Sequence, residues 1–209
     1  MSWVRALPLL AAAVVVTLAP VGLGVLLSAP PSAPPAQPLA TPLSSLDTAT
    51  LTLARAPFCE RIAATDVAAA LGGTPDDGAA WSNGDPVPLP DGSTDVGHEY
   101  GCRWSLPSGA AVAAWVFAPP VPPESAEALV TAAAATEGCT PVSGAPAYGS
   151  PAYGSPSVTL SCGPTVSFRG LFGDAWLVCE ATSLPTPAGG DPVERAGRWC
   201  TSVAVAAGA

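Results

Sequence analysis

The chain has 209 residues, 49% of them hydrophobic, with 26 prolines, 21 glycines and six cysteines. Its seven basic residues are all arginine, and against sixteen acidic side chains they leave a formal charge of −9. Such a surface repels phosphate backbones and anionic lipid, which excludes nucleic acid and peripheral membrane attachment and favours cations.

Residues Ala6 to Leu27 form an uncharged apolar run behind a short head that carries Arg5. At 1.5 Å per residue, a helix of that length spans about 33 Å, close to the hydrocarbon thickness of a bilayer. A cleavable signal has a shorter core and a small-x-small cleavage site. Here the nearest candidate is Leu27-Ser28-Ala29, with a bulky first residue and Pro30 behind it. The reading is therefore a signal anchor over residues 1–28, with a cleaved signal peptide and secretion as the alternative. The head stays cytoplasmic and the rest of the chain lies outside, a single-pass arrangement in the cell membrane. Residues 29–45 hold a run of prolines without basic residues and read as a semi-rigid stalk. Residues 46–209 are long enough for one extracytoplasmic domain with its own core.

In that domain, Pro57 to Ile62 predicts a short helical turn. A helix over Asp66–Leu71 follows, with Thr65 as its N-cap and Gly72-Gly73 as its stop. Thr74 to Gly97, rich in Asp, Gly and Pro, reads as a long exposed loop. Gly101–Leu106 and Ala110–Phe117 alternate in polarity around Pro107-Ser108-Gly109 and form a hairpin. Glu124–Glu137 is a helix stopped by Gly138. Pro146 to Ser155 repeats Pro-Ala-Tyr-Gly-Ser twice, a hairpin tip whose tyrosines would be exposed. Val158–Cys162, Val166–Phe168 and Ala175–Cys179 are three further strands. Asp191-Pro192-Val193-Glu194 has a capping residue, proline at the first helical position and a glutamate closing the capping box. Along that last helix Ala196, Cys200, Val203 and Ala207 share one stripe. The fold class is α+β: an antiparallel sheet of about five strands with two to three helices packed on it.

All six cysteines lie beyond the apolar run, where an oxidising exterior makes them three disulfides. Six cysteines allow fifteen connectivities. Their placement on the predicted elements favours Cys59–Cys102, Cys139–Cys162 and Cys179–Cys200, each stapling a helix to the sheet. Trp104, Trp176 and Trp199 each lie within three residues of a cysteine and are expected to pack over the disulfides. Zinc is excluded by the absence of close ligand pairs and by a single imidazole, His98.

Nucleophile elbows, phosphate loops and dinucleotide glycine patterns are missing from the sequence. No catalytic residue and no resident cofactor are assigned. One cation site is possible by spacing: Asp91, Ser93, Asp95 and Glu99 place oxygens at alternate positions as calcium loops do, without the glycine and closing glutamate of the full motif.

Phe58-Cys59 before a helix ending in Leu71-Gly72, then Cys102-x-Trp104, Gly173-Asp174-Ala175-Trp176-Leu177-Val178-Cys179 and Trp199-Cys200 resemble exported actinobacterial cell-envelope proteins of unknown function. That group is related in general pattern to the extracellular sensor domain of mycobacterial serine/threonine kinases. The likeness covers most of residues 55–205. It implies an antiparallel sheet with packed helices and ligand sensing, and it transfers no catalytic residue. Many members are lipoproteins, but no lipobox cysteine stands here, so lipid anchoring does not carry over. Two functional readings follow. The first is a non-enzymatic envelope domain that binds or senses an unidentified envelope ligand or protein, which predicts a concave or apolar patch on the sheet. The alternative is an envelope hydrolase using His98 or an acidic pair.

Overall fold

The computed structural model describes residues 41–88, 93–142, 153–185 and 190–209. The apolar run, most of the proline tract and Asp91 lie outside those residues. Among the described residues no helix is long and apolar enough to cross a membrane.

Among the described residues there are nine strands: β1 (Asp77–Trp81), β2 (Pro86–Pro88), β3 (Thr94–Val96), β4 (Glu99–Ser105), β5 (Ala111–Phe117), β6 (Cys139–Pro141), β7 (Ser157–Cys162), β8 (Thr165–Phe172) and β9 (Ala175–Thr182). Seven of them make one antiparallel sheet in the order β1-β4-β5-β9-β8-β7-β6, and β2 pairs with β3 in a separate ribbon. The α+β class holds, with seven sheet strands rather than about five. The additional two are the edges. Asp77-Gly-Ala-Ala-Trp81 has no branched residue to mark a strand, and β6 is three residues long. The segment read as a loop over 74–97 thus contains an edge strand and a ribbon.

Helices α1 (Ala64–Leu71), α2 (Pro123–Ala134) and α3 (Pro192–Ala207) complete the fold. α1 starts two residues earlier than the Thr65 cap predicts; Ala63 is the capping position and makes no side-chain cap. The start of α3 is as expected, with the Asp191 carboxylate accepting the Val193 N–H at 2.8 Å. The turns joining β7 to β8 and β8 to β9 are two residues long, Gly163-Pro164 and Gly173-Asp174. Each places glycine first, at φ +59° and +66°, where a hairpin of the type II′ class requires it.

Alternation decides which face each residue serves. Val112, Ala114 and Val116 of β5 join Phe168, Leu177 and Cys179 beneath α1 and α3, where Phe58, Leu71, Trp199 and Val203 close the main core. The stripe Ala196, Cys200, Val203 and Ala207 is fully inside it. Leu43, ahead of the compositional boundary at Leu46, is also buried there. The opposite face carries a smaller cluster, Val121, Ala126, Leu171, Trp176 and Val178, under α2. α2 packs on β6, β7 and β8.

Three disulfides staple the domain: Cys59–Cys102, Cys139–Cys162 and Cys179–Cys200. The first and third tie a 3-10 turn (Cys59–Arg61) and α3 to the sheet. The second departs from the helix-to-sheet expectation: Cys139 opens β6 directly opposite Cys162, so it joins strand to strand. Trp176 also departs. It sits three residues from Cys179 along a strand, and odd spacing puts it on the other face from the disulfide.

Tyr153, the second tyrosine of the tandem repeat, is 2% exposed rather than a surface tip; Tyr148 lies outside the described residues. Its ring meets Phe168 and Phe172 edge-on with centroids 5.9 and 5.1 Å away, and its hydroxyl is buried without a partner. Burial pushes the phenol well above its ordinary value. The folded state keeps that proton where the unfolded chain releases it, so the contribution to stability is complete below about pH 10 and is lost as the pH rises further. Tyr153→Phe is expected to remove this alkaline loss and to raise stability by up to about 1 kcal/mol at neutral pH, since no hydrogen bond is given up. Urea midpoints at neutral pH and above pH 10 test this, and a variant less stable than the parent at both would contradict it.

Candidate functional site

Because α2 stops over β6–β8, the β1, β4 and β5 part of that second face has no helix among the described residues lying on it. Register fixes what stands there. Trp81 of β1, Gly101 of β4 and Trp115 of β5 occupy one cross-strand row, continued by Val178 and Arg169. The next row runs Ala79, Arg103, Ala113, Glu180 and Ser167. These rows line an open cleft of about 380 Å³ whose floor is alanine and whose sides include Trp81, Trp115, Arg103, Glu180 and Thr182.

Gly101 is what lets the cleft form. A Cβ at that position would collide with the benzo edge of Trp81 and stand 2.9 Å from Trp115 Cβ. Without it, the Trp81 indole lies across β4 toward Trp115, with its N–H turned inward and buried without a partner. An unsatisfied buried N–H costs on the order of 1–3 kcal/mol. Both indoles remain half-buried, so ring surface is left at the cleft.

The polar groups at the two ends differ in kind. Ser167, 1% exposed, donates to Glu180 Oε1 at 3.1 Å, and Arg169 reaches the same oxygen at 3.3 Å while its Nε donates to the serine. Among the described residues Oε2 of Glu180 takes no hydrogen bond, and Glu180 lines the cleft. At the other end Arg103 is exposed, and its guanidinium has no hydrogen bond or ion pair among the described residues. Every other described arginine has one: Arg55 with Asp174, Arg61 with the Gly208 carbonyl, Arg169 with Glu180, Arg195 with the last carbonyls of α1, and Arg198 with Glu194. Asp77 and Glu99 sit on the same face at opposite ends of the strands, beside Ser105 and Phe117.

No family model matches the chain, nor does any curated protein or solved structure.

The residues singled out by sequence lie elsewhere. His98 is exposed in the link from β3 to β4, where its carbonyl accepts the Ala118 N–H at 2.8 Å. Asp95 lies in β3 and turns its carboxylate back to the Val96 N–H at 2.7 Å, and Glu99 opens β4. Among the described residues no three His, Cys, Asp or Glu side chains gather to hold a metal ion. Trp104 and Trp199 meet edge-to-face at 5.9 Å on the core side. Trp115 was legible as an outlier. Val112, Ala114 and Val116 set the buried phase of β5, so a tryptophan in the other phase faces away from the main core. Trp81, Arg103 and Glu180 carry no such signal, because only the strand register brings them together.

Proposed function

We propose that the domain is a non-enzymatic binding or sensing module of the cell envelope, exported and held at the membrane by Ala6–Leu27, whose ligand lies on the open half of the sheet. The observation that carries this reading is the Trp81 indole laid across Gly101 beside Trp115, in a cleft that no described element fills. A concave face with a few convergent polar groups is the common form of a ligand site. The resemblance to exported envelope domains agrees with it. Six cysteines in three disulfides also fit an oxidising compartment.

Full-length protein in detergent is expected to co-sediment with delipidated bacterial cell-wall sacculi. Trp115→Ala should abolish that binding and His98→Ala should leave it unchanged. Binding that survives Trp115→Ala, or sacculus hydrolysis that disappears with His98→Ala, would overturn the reading, the latter in favour of a hydrolase.

A further inference from the structure

We infer that the cleft takes a carboxylate-bearing saccharide, its ring stacked on Trp115 and Trp81, its carboxylate held by Arg103 and its hydroxyls by the free oxygen of Glu180. This rests on the reading of the open face as the ligand site and names the ligand's chemistry.

The cleft lies over the interior of a sheet, where the backbone N–H and C=O groups of β4, β5 and β9 are engaged in the ladder. A peptide laid across it finds no main-chain partners, and its own amides lose water without replacement. A sugar ring has no such obligation. One face of a pyranose is a set of C–H groups that packs on an indole, while its hydroxyls point to the rim and stay in contact with water or with side chains.

The chain is strongly acidic, yet Arg103 stands in the cleft unpaired, while every other described arginine is occupied. A guanidinium presents a planar fork that matches a carboxylate with two parallel hydrogen bonds. Glu180 supplies the opposite chemistry. Its Oε1 is pinned by Ser167 and Arg169, so Oε2 is a fixed acceptor for ligand hydroxyls.

Arg103 and Glu180 flank Ala113 in one row, which at about 4.8 Å per strand sets their backbones roughly 10 Å apart. A cleft of about 380 Å³ with that span suits one or two sugar rings.

The test is a tryptophan-fluorescence titration of the full-length protein in detergent with digalacturonate and with a glucuronate-containing disaccharide. The same sugars after reduction of the carboxyl to the alcohol, and pentaglutamate, serve as comparisons. At least one uronate should bind and bind about tenfold or more tighter than its reduced form. Arg103→Gln should bring that ratio to near one by weakening the uronate far more than its reduced form, and Arg103→Lys should restore part of it. Equal binding of acidic and reduced sugars overturns the carboxylate assignment and leaves the face as a ligand site. Binding of pentaglutamate with no uronate response overturns the saccharide assignment in favour of an acidic peptide, as does silence of both uronates alongside sacculus binding that still depends on Trp115. Sacculus binding indifferent to Trp115→Ala removes the site itself.

Discussion

Replacing Cys179 and Cys200 together by alanine is expected to lower stability by about 4 kcal/mol. Their Cα atoms stand 5.7 Å apart, and the bridge closes a segment 21 residues long. Chain entropy assigns such a loop about 3 kcal/mol through the unfolded state. The rest comes from position. Both cysteines are 0% exposed, between central strand β9 and α3, so two sulfurs are also lost from a packed core. Cys139–Cys162 closes a similar segment of 23 residues, but both cysteines are half-buried at the β6 edge, so its removal should cost no more than about 3 kcal/mol. Urea unfolding of the two double variants compares them directly. The m-value should rise in both as the unfolded chain expands. A smaller loss for Cys179/Cys200 than for Cys139/Cys162 would show that burial does not set the order.

The reason these staples were readable and the cleft was not lies in the range of the signals. α3 announces itself locally, through Asp191, Pro192 and Glu194 and then a stripe of Ala196, Cys200 and Val203. Once helices and strands are placed, each cysteine has a nearby partner on the next element. β1 has no comparable signal: glycine and alanine form its middle, and it is a strand because β4 presents an edge to it. The cleft needs more still. Trp81, Arg103, Trp115 and Glu180 come from four strands, and β5 meets β9 only after α2 and three further strands have intervened. Register between such strands is a property of the folded sheet. Tyr153 illustrates the converse error: a repeat in sequence does not place its two copies alike, and the second one is drawn into the core by Phe168 and Phe172.

Gly101→Ala is expected to cost about 2–3 kcal/mol and to weaken binding at the open face by tenfold or more, a disproportionate result for one methyl group. Gly101 sits in an extended strand, so alanine is no worse than glycine for the backbone, and the cost is steric. Two contacts contribute. The Trp81 indole must lift from the sheet, which it can do because β1 is an edge held only by β4. Trp115 Cβ, 2.9 Å from the new methyl, cannot move without shifting β5, which is paired on both sides. The two contributions are separable. Trp81→Ala in the Gly101→Ala background should recover part of the lost stability, because the ring is removed. Trp115→Ala should recover none, because alanine keeps the offending Cβ. Such coupling is what a double-mutant cycle measures, and residues in contact typically couple by about 0.5–3 kcal/mol. Binding separates them differently: neither rescue restores it, since each removes one of the indoles on which the ligand rests. A Gly101→Ala protein that loses less than about 0.5 kcal/mol and binds sacculi as the parent does would mean that Trp81 does not lie across β4, and the cleft would lose its floor plan with it.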